Sequence, residues 1–211
     1  MLGECKSHGY FRGEKCPNCE EAGRFLMDAE ELDRVGRMLT GILRHSPERY
    51  GLALDEHGWI QGDAIIGAIQ RNPRYHWIRP YHIEAIAATD DKGRYQIEAG
   101  MIRATYGHTL EVDLSDMPDA DLEFLYYPAS EEEADMILEN GIKPMDRKYI
   151  HLSATPEKAD EAGRVRIQNP IILKIDVRRA IEIMPEKPIK KAGKSVYITQ
   201  EVPAKCISKH V

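Results

Sequence analysis

The N-terminal run CKSHGYFRGEKCPNC restricts this chain more than any other stretch. Cys5 and His8 form a C-x-x-H pair, Cys16 and Cys19 a C-x-x-C pair, and seven residues separate them. Each pair fits a tight backbone knuckle around one metal ion, and the spacer suffices for a short hairpin. Four N/S ligands suit tetrahedral zinc, and a segment this small has little core without it. Four protein ligands leave no open coordination position, so the expected zinc is structural rather than catalytic. Two other readings are a loose tail and a redox pair at Cys16 and Cys19; the redox pair lacks a βαβ context.

Composition is that of a globular protein: 211 residues, 42% hydrophobic and 30% charged, enough for two modest domains. No apolar run approaches the roughly 18 residues of a membrane span. The start, MLGECKSHGY, lacks the apolar stretch of a secretory signal. These features lead us to expect an intracellular, cytoplasmic chain, in which clustered cysteines favour metal over disulfide. Monomer is the default state. Net charge is −6, but residues 111–139 hold 11 Asp/Glu and no Lys or Arg. The remainder lies on the positive side of neutral, so net charge alone does not exclude an anion site or an RNA partner.

Three parts follow from patterning, giving an α+β fold. Residues 1–27 are the zinc-binding segment. In 28–110, Asp28 caps a helix through DAEELDRVGRMLTGILRH, with Leu32, Val35, Leu39, Ile42 and Leu43 along one side. Pro47 ends it. GWI reads as a short strand, GDAIIGAIQR as a helix, and RPYHIEAIAATD as a third helix with Pro80 in its first turn. A hairpin follows, with turns at Asp91–Gly93 and Ala99–Gly100. Three helices and a hairpin are the order of a winged-helix module, which often binds nucleic acid, though fold does not fix function. Residues 111–122 read as an acidic linker. From 123 to 211 short β runs dominate (FLYY, YIHLS, PIILKIDV, SVYITQEV), with helices at EEEADMILENG and TPEKADEAGR. KPIKKAGK reads as a solvated basic connection.

Arg44 and His45 stand together where the first helix ends, and Arg103 lies in the hairpin as MIRATYGHT. Arginine forks match phosphate oxygens, and histidine can donate to a phosphate or protonate a leaving oxygen. Each also has a plainer explanation: helix-dipole complementarity for Arg44, a C-terminal cap for His45, an exposed strand position for Arg103. His57, His76 and His82 read as surface or partly packed, Trp59 and Trp77 as packing residues, and Cys206 as a buried apolar residue.

Several separate pieces, in order, resemble one family. LTGILRHSPERYGLALDEHGWI resembles the opening helix, Leu-Arg-His signature and Leu-Asp-x-x-Gly-Trp segment of the NAD-dependent RNA 2′-phosphotransferases. MIRATYGHT resembles that family's Ile-Arg-Ala-x-x-Gly-His-Ser element, and GIKPMDRKYIHLS its Gly-x-x-Pro-Met-x-Arg-x-x-Val-His-Leu-Ser run. The resemblance covers residues 31 to 211. It implies a winged-helix-like RNA lobe and an ADP-ribosyltransferase-like lobe that binds NAD as co-substrate, with the phosphate between them. It implies removal of a splice-junction 2′-phosphate from RNA, tRNA in the first place. It also implies an Arg-His-Arg-Arg set, matched by Arg44, His45, Arg103 and a fourth arginine. Arg166 occupies that fourth position, with Arg164 one small slip away. Arg147, His151 and Ser153 match NAD-side positions, and Tyr127 and Arg164 complete the expected NAD-binding set.

The chain departs from the pattern where the family has His-Gly-Thr: here stand Tyr127, Pro128 and Ala129. Tyr127 could still donate through its hydroxyl, but Pro128 has no backbone N–H. Tyr106 replaces a common glutamine. The zinc segment lies outside the shared region, and we expect it to brace the first helix rather than extend the RNA surface. Rival readings are an inactive nucleic-acid-binding relative and an enzyme that ADP-ribosylates 5′-phosphate ends.

Overall fold

The capping of the first helix is complete. α1 (Ala29–Arg44) starts at Asp28, whose side chain accepts from the Glu31 N–H at 2.7 Å while Glu31 accepts from the Asp28 N–H at 2.9 Å. This reciprocal capping box satisfies two otherwise orphaned donors. Val35, Leu39, Ile42 and Leu43 are fully buried on one face, each worth about 1.5–3 kcal/mol of apolar burial. The computed structural model describes residues 1–145 and 147–210, and the chain divides into two compact units, Met1–Thr105 and Tyr106–Val211.

In the first unit, β1 (Leu2–Cys5), β2 (Gly9–Arg12) and β3 (Arg24–Met27) make an antiparallel sheet in the order β2-β1-β3. A second small sheet, β4-β6-β5, is made by β4 (Ile60–Gln61), β5 (Tyr95–Glu98) and β6 (Met101–Ala104). Between them lie α2 (Gly62–Gln70) and α3 (Pro80–Ala88), the latter with Pro80 in its first turn as expected. The β5–β6 turn places both Ala99 (φ 48) and Gly100 (φ 80) in the left-handed region. That backbone matches the twist of a two-residue hairpin.

One core unites these pieces: Leu2, Leu26 and Met27 from the N-terminal strands pack with residues of α1, α2, α3, β4, β5 and β6. The N-terminal segment is therefore part of the first unit. Its strands β1 and β2 pack on α3, so the brace we expected on the first helix falls on the third. His82, expected at or near the surface, is 4% exposed in the first turn of α3. Its Nδ1 accepts the Arg79 N–H at 2.9 Å, and burial lowers its pKa, which favours the neutral ring.

The second unit is built on one antiparallel sheet, ordered β10-β11-β8-β7-β9-β12. Its strands are β7 (Phe124–Ala129), β8 (Ile150–Ser153), β9 (Ile171–Asp176), β10 (Lys190–Lys191), β11 (Val196–Thr199) and β12 (Ile207–Lys209). α4 (Glu131–Asn140), α5 (Pro156–Gly163) and α6 (Val177–Ile183) complete it. Gly141 ends α4 at φ 80, where a Cβ would meet the Val202 carbonyl oxygen at 2.4 Å. One face of the sheet carries Leu125, Leu152, Ile175 and Tyr197, packed with Val177, Ala180 and Val202.

The opposite face is covered by the segment expected as an acidic linker. Val112, Leu114 and Met117 are buried there with Tyr106, Ala192 and Ile198. The acidic residues face partners. Lys190 pairs with Asp119, and Lys191 with Asp121, each at 2.7 Å. The Tyr197 hydroxyl donates to Asp121 at 2.6 Å, and backbone bonds join Ala120 to Ile189 and Lys191 to Pro118. Within KPIKKAGK, Lys190 and Lys191 form the edge strand β10, so the segment is not a free connection. Cys206 is buried, as expected, and burial raises its pKa. Among the described residues, no helix is long and apolar enough to cross a membrane.

Candidate active site

The β1–β2 turn carries His8 beside Cys5, and the loop before β3 carries Cys16 and Cys19. All four ligand atoms lie within 4.8 Å of one another. Cys5 Sγ is 3.7 Å from Cys19 Sγ and 3.5 Å from His8 Nδ1; Cys16 Sγ is 3.6 Å from the same nitrogen. Tetrahedral zinc, with bonds of about 2.3 Å to sulfur and about 2.0–2.1 Å to nitrogen, separates its ligands by about 3.8 and 3.6 Å. The cluster fits such an ion. The backbone N–H groups of Ser7 and then His8 lower the Cys5 pKa against burial. At Cys16 burial is the largest influence and works upward, but the Asn18 and Cys19 N–H groups bring the net shift down. Amides aimed at sulfur favour the thiolate, the form that binds metal.

In the first unit, Arg44 is the last residue of α1 and half-buried; His45 is its C-cap, exposed, with its N–H bonded to the Gly41 carbonyl. Arg103 sits in β6, the strand against which α1 packs. It is 2% exposed, not the surface strand residue of the plainer reading. A buried guanidinium is costly unless its donors are met. Gln96, directly across on β5, accepts from Arg103 Nε at 3.0 Å; the His57 carbonyl accepts from Nη1 at 3.3 Å. The guanidinium carbon lies 4.5 Å from the centre of the Trp59 ring. Trp59 thus does packing work, as expected, but under a charge. Gln96 was the partner missed from sequence; the hairpin register contains it.

In the second unit, two groups of residues face opposite ways. Tyr126 pairs with Ser153, so Ser153 and His151 share one face and Tyr127 lies on the other. The His151 ring packs edge-on against Tyr106, centres 5.7 Å apart. On the other face, Tyr127 is half-buried beside Arg166, and burial raises its pKa most. Arg166 donates to Glu133 at 2.8 Å and to the Pro128 carbonyl at 3.3 Å. The Glu133 bond, the largest influence, raises the arginine's pKa. The Pro128 ring lies against Gly163, where a Cβ would come within 2.6 Å of it. This close approach sets the end of α5, and Arg166 beyond it, against β7. Arg164 instead pairs with Asp160 at 2.6 Å on the exposed side of α5. Arg147 is exposed in the loop between α4 and β8. Glu133 was not singled out from sequence, although Ser130-x-x-Glu133 is a readable capping box.

Comparison with known proteins places the chain in one family. Residues 30–201 match the family described as RNA 2′-phosphotransferase, Tpt1 / KptA. The chain is 40% identical over 207 residues to "Probable RNA 2′-phosphotransferase 1" of Archaeoglobus fulgidus, covering 98% of this chain and 94% of that one. It is 43% identical over 182 residues to "Probable RNA 2′-phosphotransferase" of Methanosarcina mazei, 86% of each chain. With the Thermoplasma acidophilum protein of the same name, identity is 41% over 201 residues, 95% of this chain and 85% of the other. The first and third matches reach well beyond residues 30–201, into the flanking segments of this chain. The chain belongs to the RNA 2′-phosphotransferase family.

Proposed function

We propose that this protein is an NAD-dependent RNA 2′-phosphotransferase acting at splice junctions, with tRNA the candidate substrate. The observation that carries the reading is the family match over residues 30–201, which spans Arg44, His45, Arg103 and Arg166. The RNA 2′-phosphate oxygen attacks the anomeric carbon of the nicotinamide ribose, and the bond to nicotinamide breaks. The ribose 2″-hydroxyl then attacks phosphorus and loses its proton. The RNA 2′-oxygen leaves and gains one. The products are 2′-hydroxyl RNA, nicotinamide and ADP-ribose 1″,2″-cyclic phosphate.

Arg44, Arg103 and Arg166 serve as guanidinium donors to the phosphate, whose second displacement spreads charge onto its oxygens. Supporting this role, Arg103 already has its orientation set by Gln96, the His57 carbonyl and Trp59. His45 is the candidate proton donor to the leaving 2′-oxygen. Between the two arginines of 164–166, the fourth role goes to Arg166, which holds the matching sequence position and is fixed against β7 by Glu133 and the Pro128 carbonyl, whereas Arg164 pairs with Asp160 on the exposed side of α5. Arg147, His151 and Ser153 are the candidate NAD contacts, and Tyr127 enters through Arg166. We further propose that the first unit acts as a winged-helix RNA lobe, the second as an ADP-ribosyltransferase-like lobe, and the enzyme as a cytoplasmic monomer with one structural zinc.

The deciding experiment uses a short RNA with one internal 2′-phosphate, incubated with and without NAD and read by mass spectrometry. NAD-dependent loss of the phosphate with the cyclic-phosphate product is expected. A persistent ADP-ribosylated RNA would restrict the enzyme to the first step. RNA binding without NAD consumption would overturn the assignment.

A further inference from the structure

From Ala64 to Ile83 the chain carries no Asp or Glu, yet it holds Arg71, Arg74, His76 and Arg79. In a protein of net charge −6 this stretch is out of balance. The first unit gathers much of it around an open groove of about 740 Å³, lined by Ile66, Gly67, Gln70, Arg71, His76 and Arg79. α2 with Arg71 supplies one wall, and His76 and Arg79, between the turn at 73–75 and α3, supply the other.

The arginines are held by neutral atoms. Arg71 donates to the Tyr50 carbonyl at 3.2 Å, and Arg79 to the carbonyls of His76 and Ile78. Gln70 also donates to the Ile78 carbonyl, at 2.8 Å. Among the described residues, no carboxylate pairs with Arg71, Arg74 or Arg79. Arg34, Arg37, Arg94, Arg164, Arg166 and Arg178 each have one. Carbonyl anchors fix a guanidinium without neutralising it, and its remaining donors stay ready for an anion. At Gly67 a Cβ would meet nothing within 4 Å, so the groove is open there.

We propose that this groove binds the phosphodiester backbone of RNA at nucleotides beyond the one that is dephosphorylated. The choice of RNA rests on the function proposed above and on continuity. Arg71 is anchored to Tyr50, at the end of the turn Pro47–Tyr50 that follows His45 by one residue. A strand whose 2′-phosphate meets Arg44 and His45 therefore runs beside the segment that anchors the groove. The forks of Arg71 and Arg79 suit phosphate oxygens.

The test uses the full-length zinc-loaded chain and two readouts. The first is fluorescence anisotropy with an unmodified RNA stem-loop across a salt series, which needs no catalysis. Arg71→Gln with Arg79→Gln is expected to weaken binding on the order of tenfold and to lower the salt slope by about 2. Arg71→Lys with Arg79→Lys should keep most of the slope. Gly67→Glu puts an acidic group into open space on a helix and should also weaken binding. The second readout is kinetic. For a 2′-phosphorylated stem-loop, KM should rise at constant kcat in the Gln variant. A 2′-phosphorylated trinucleotide has few backbone charges to offer, and its kinetics should hold.

Unchanged stem-loop affinity and slope in both the Gln and Gly67→Glu proteins would overturn the proposal. So would a parallel fall in trinucleotide turnover. If the wild-type chain dephosphorylates nothing, the functional reading fails, and the anisotropy series still decides the groove.

Discussion

Glu133 shows how much one side chain can hold in place. One carboxylate oxygen accepts the Ser130 N–H at 2.9 Å and completes the cap of α4; the other accepts from Arg166 at 2.8 Å. The Arg166 bond is the main reason its pKa falls below the ordinary 4.5. Glu133→Gln keeps an acceptor for the cap but removes the charge facing Arg166. We expect that variant to fold with near wild-type stability and to lose turnover severalfold, in kcat more than KM. In an Arg166→Ala background the same exchange should have no further effect, because the two act as one unit. Glu133→Ala should add a loss of about 1 kcal/mol from the cap, measurable by denaturant titration. Unaltered turnover in Glu133→Gln would sink the positioning role. Nothing local in RVRIQNP separates Arg164 from Arg166. The distinction comes from Asp160 on one side and Glu133, 33 residues away, on the other. Arg103 was legible as a residue of interest but not as a buried one, because strand alternation does not say which face a helix will cover.

At the scale of elements, the segment around Asp121 carries the sharpest prediction. Its carboxylate is lowered from 3.8 to about 2, first by Lys191 and then by the Tyr197 hydroxyl. A depressed carboxylate means that the unfolded chain binds the proton first. The stability this group contributes is whole above about pH 4 and fades as pH falls toward 2. Asp121→Asn should therefore cost stability at neutral pH and give a flatter acid limb, with the two proteins converging near pH 2. A constant difference down to pH 2 in a denaturation series would refute it. Three of the helices that were readable start at a cap: Asp28, Ser130 and Thr155 each accept from the N–H three residues on. α6 was missed because VRRAIEI follows β9 with only Asp176, itself a cap, to mark the change. The acidic segment was misread as a linker because its partners, Lys190 and Lys191, lie some 70 positions later. Charge runs are legible in sequence; what neutralises them is not. Sheet order is a tertiary outcome of the same kind.

For the whole molecule, the metal cluster is the largest wager. Its strands give Leu2, Leu26 and Met27 to the core of the first unit, and its outer residues tie to α3: Tyr10 to Glu84, Arg12 to Thr89, Arg24 over the Tyr81 ring. Removing the metal should thus loosen more than a tail. Native mass spectrometry should find one zinc per chain, and a strong chelator should lower the melting temperature and strip hydrogen-exchange protection from β1–β3 and α3. A metal-free chain with full protection would refute the site. The ligand pattern was legible because C-x-x-H and C-x-x-C are local; the shared core was not, since it joins Leu2 and Ala104 in one cluster. That last pairing bears on synthesis. Every ligand lies within the first 19 residues, so the knuckle can close around its ion while most of the chain is still untranslated. The core that it serves cannot close until β6 has left the ribosome, more than 80 residues later. The metal site would be a finished piece waiting for its setting, and zinc supply at the moment of translation would govern how much of the chain reaches the folded state.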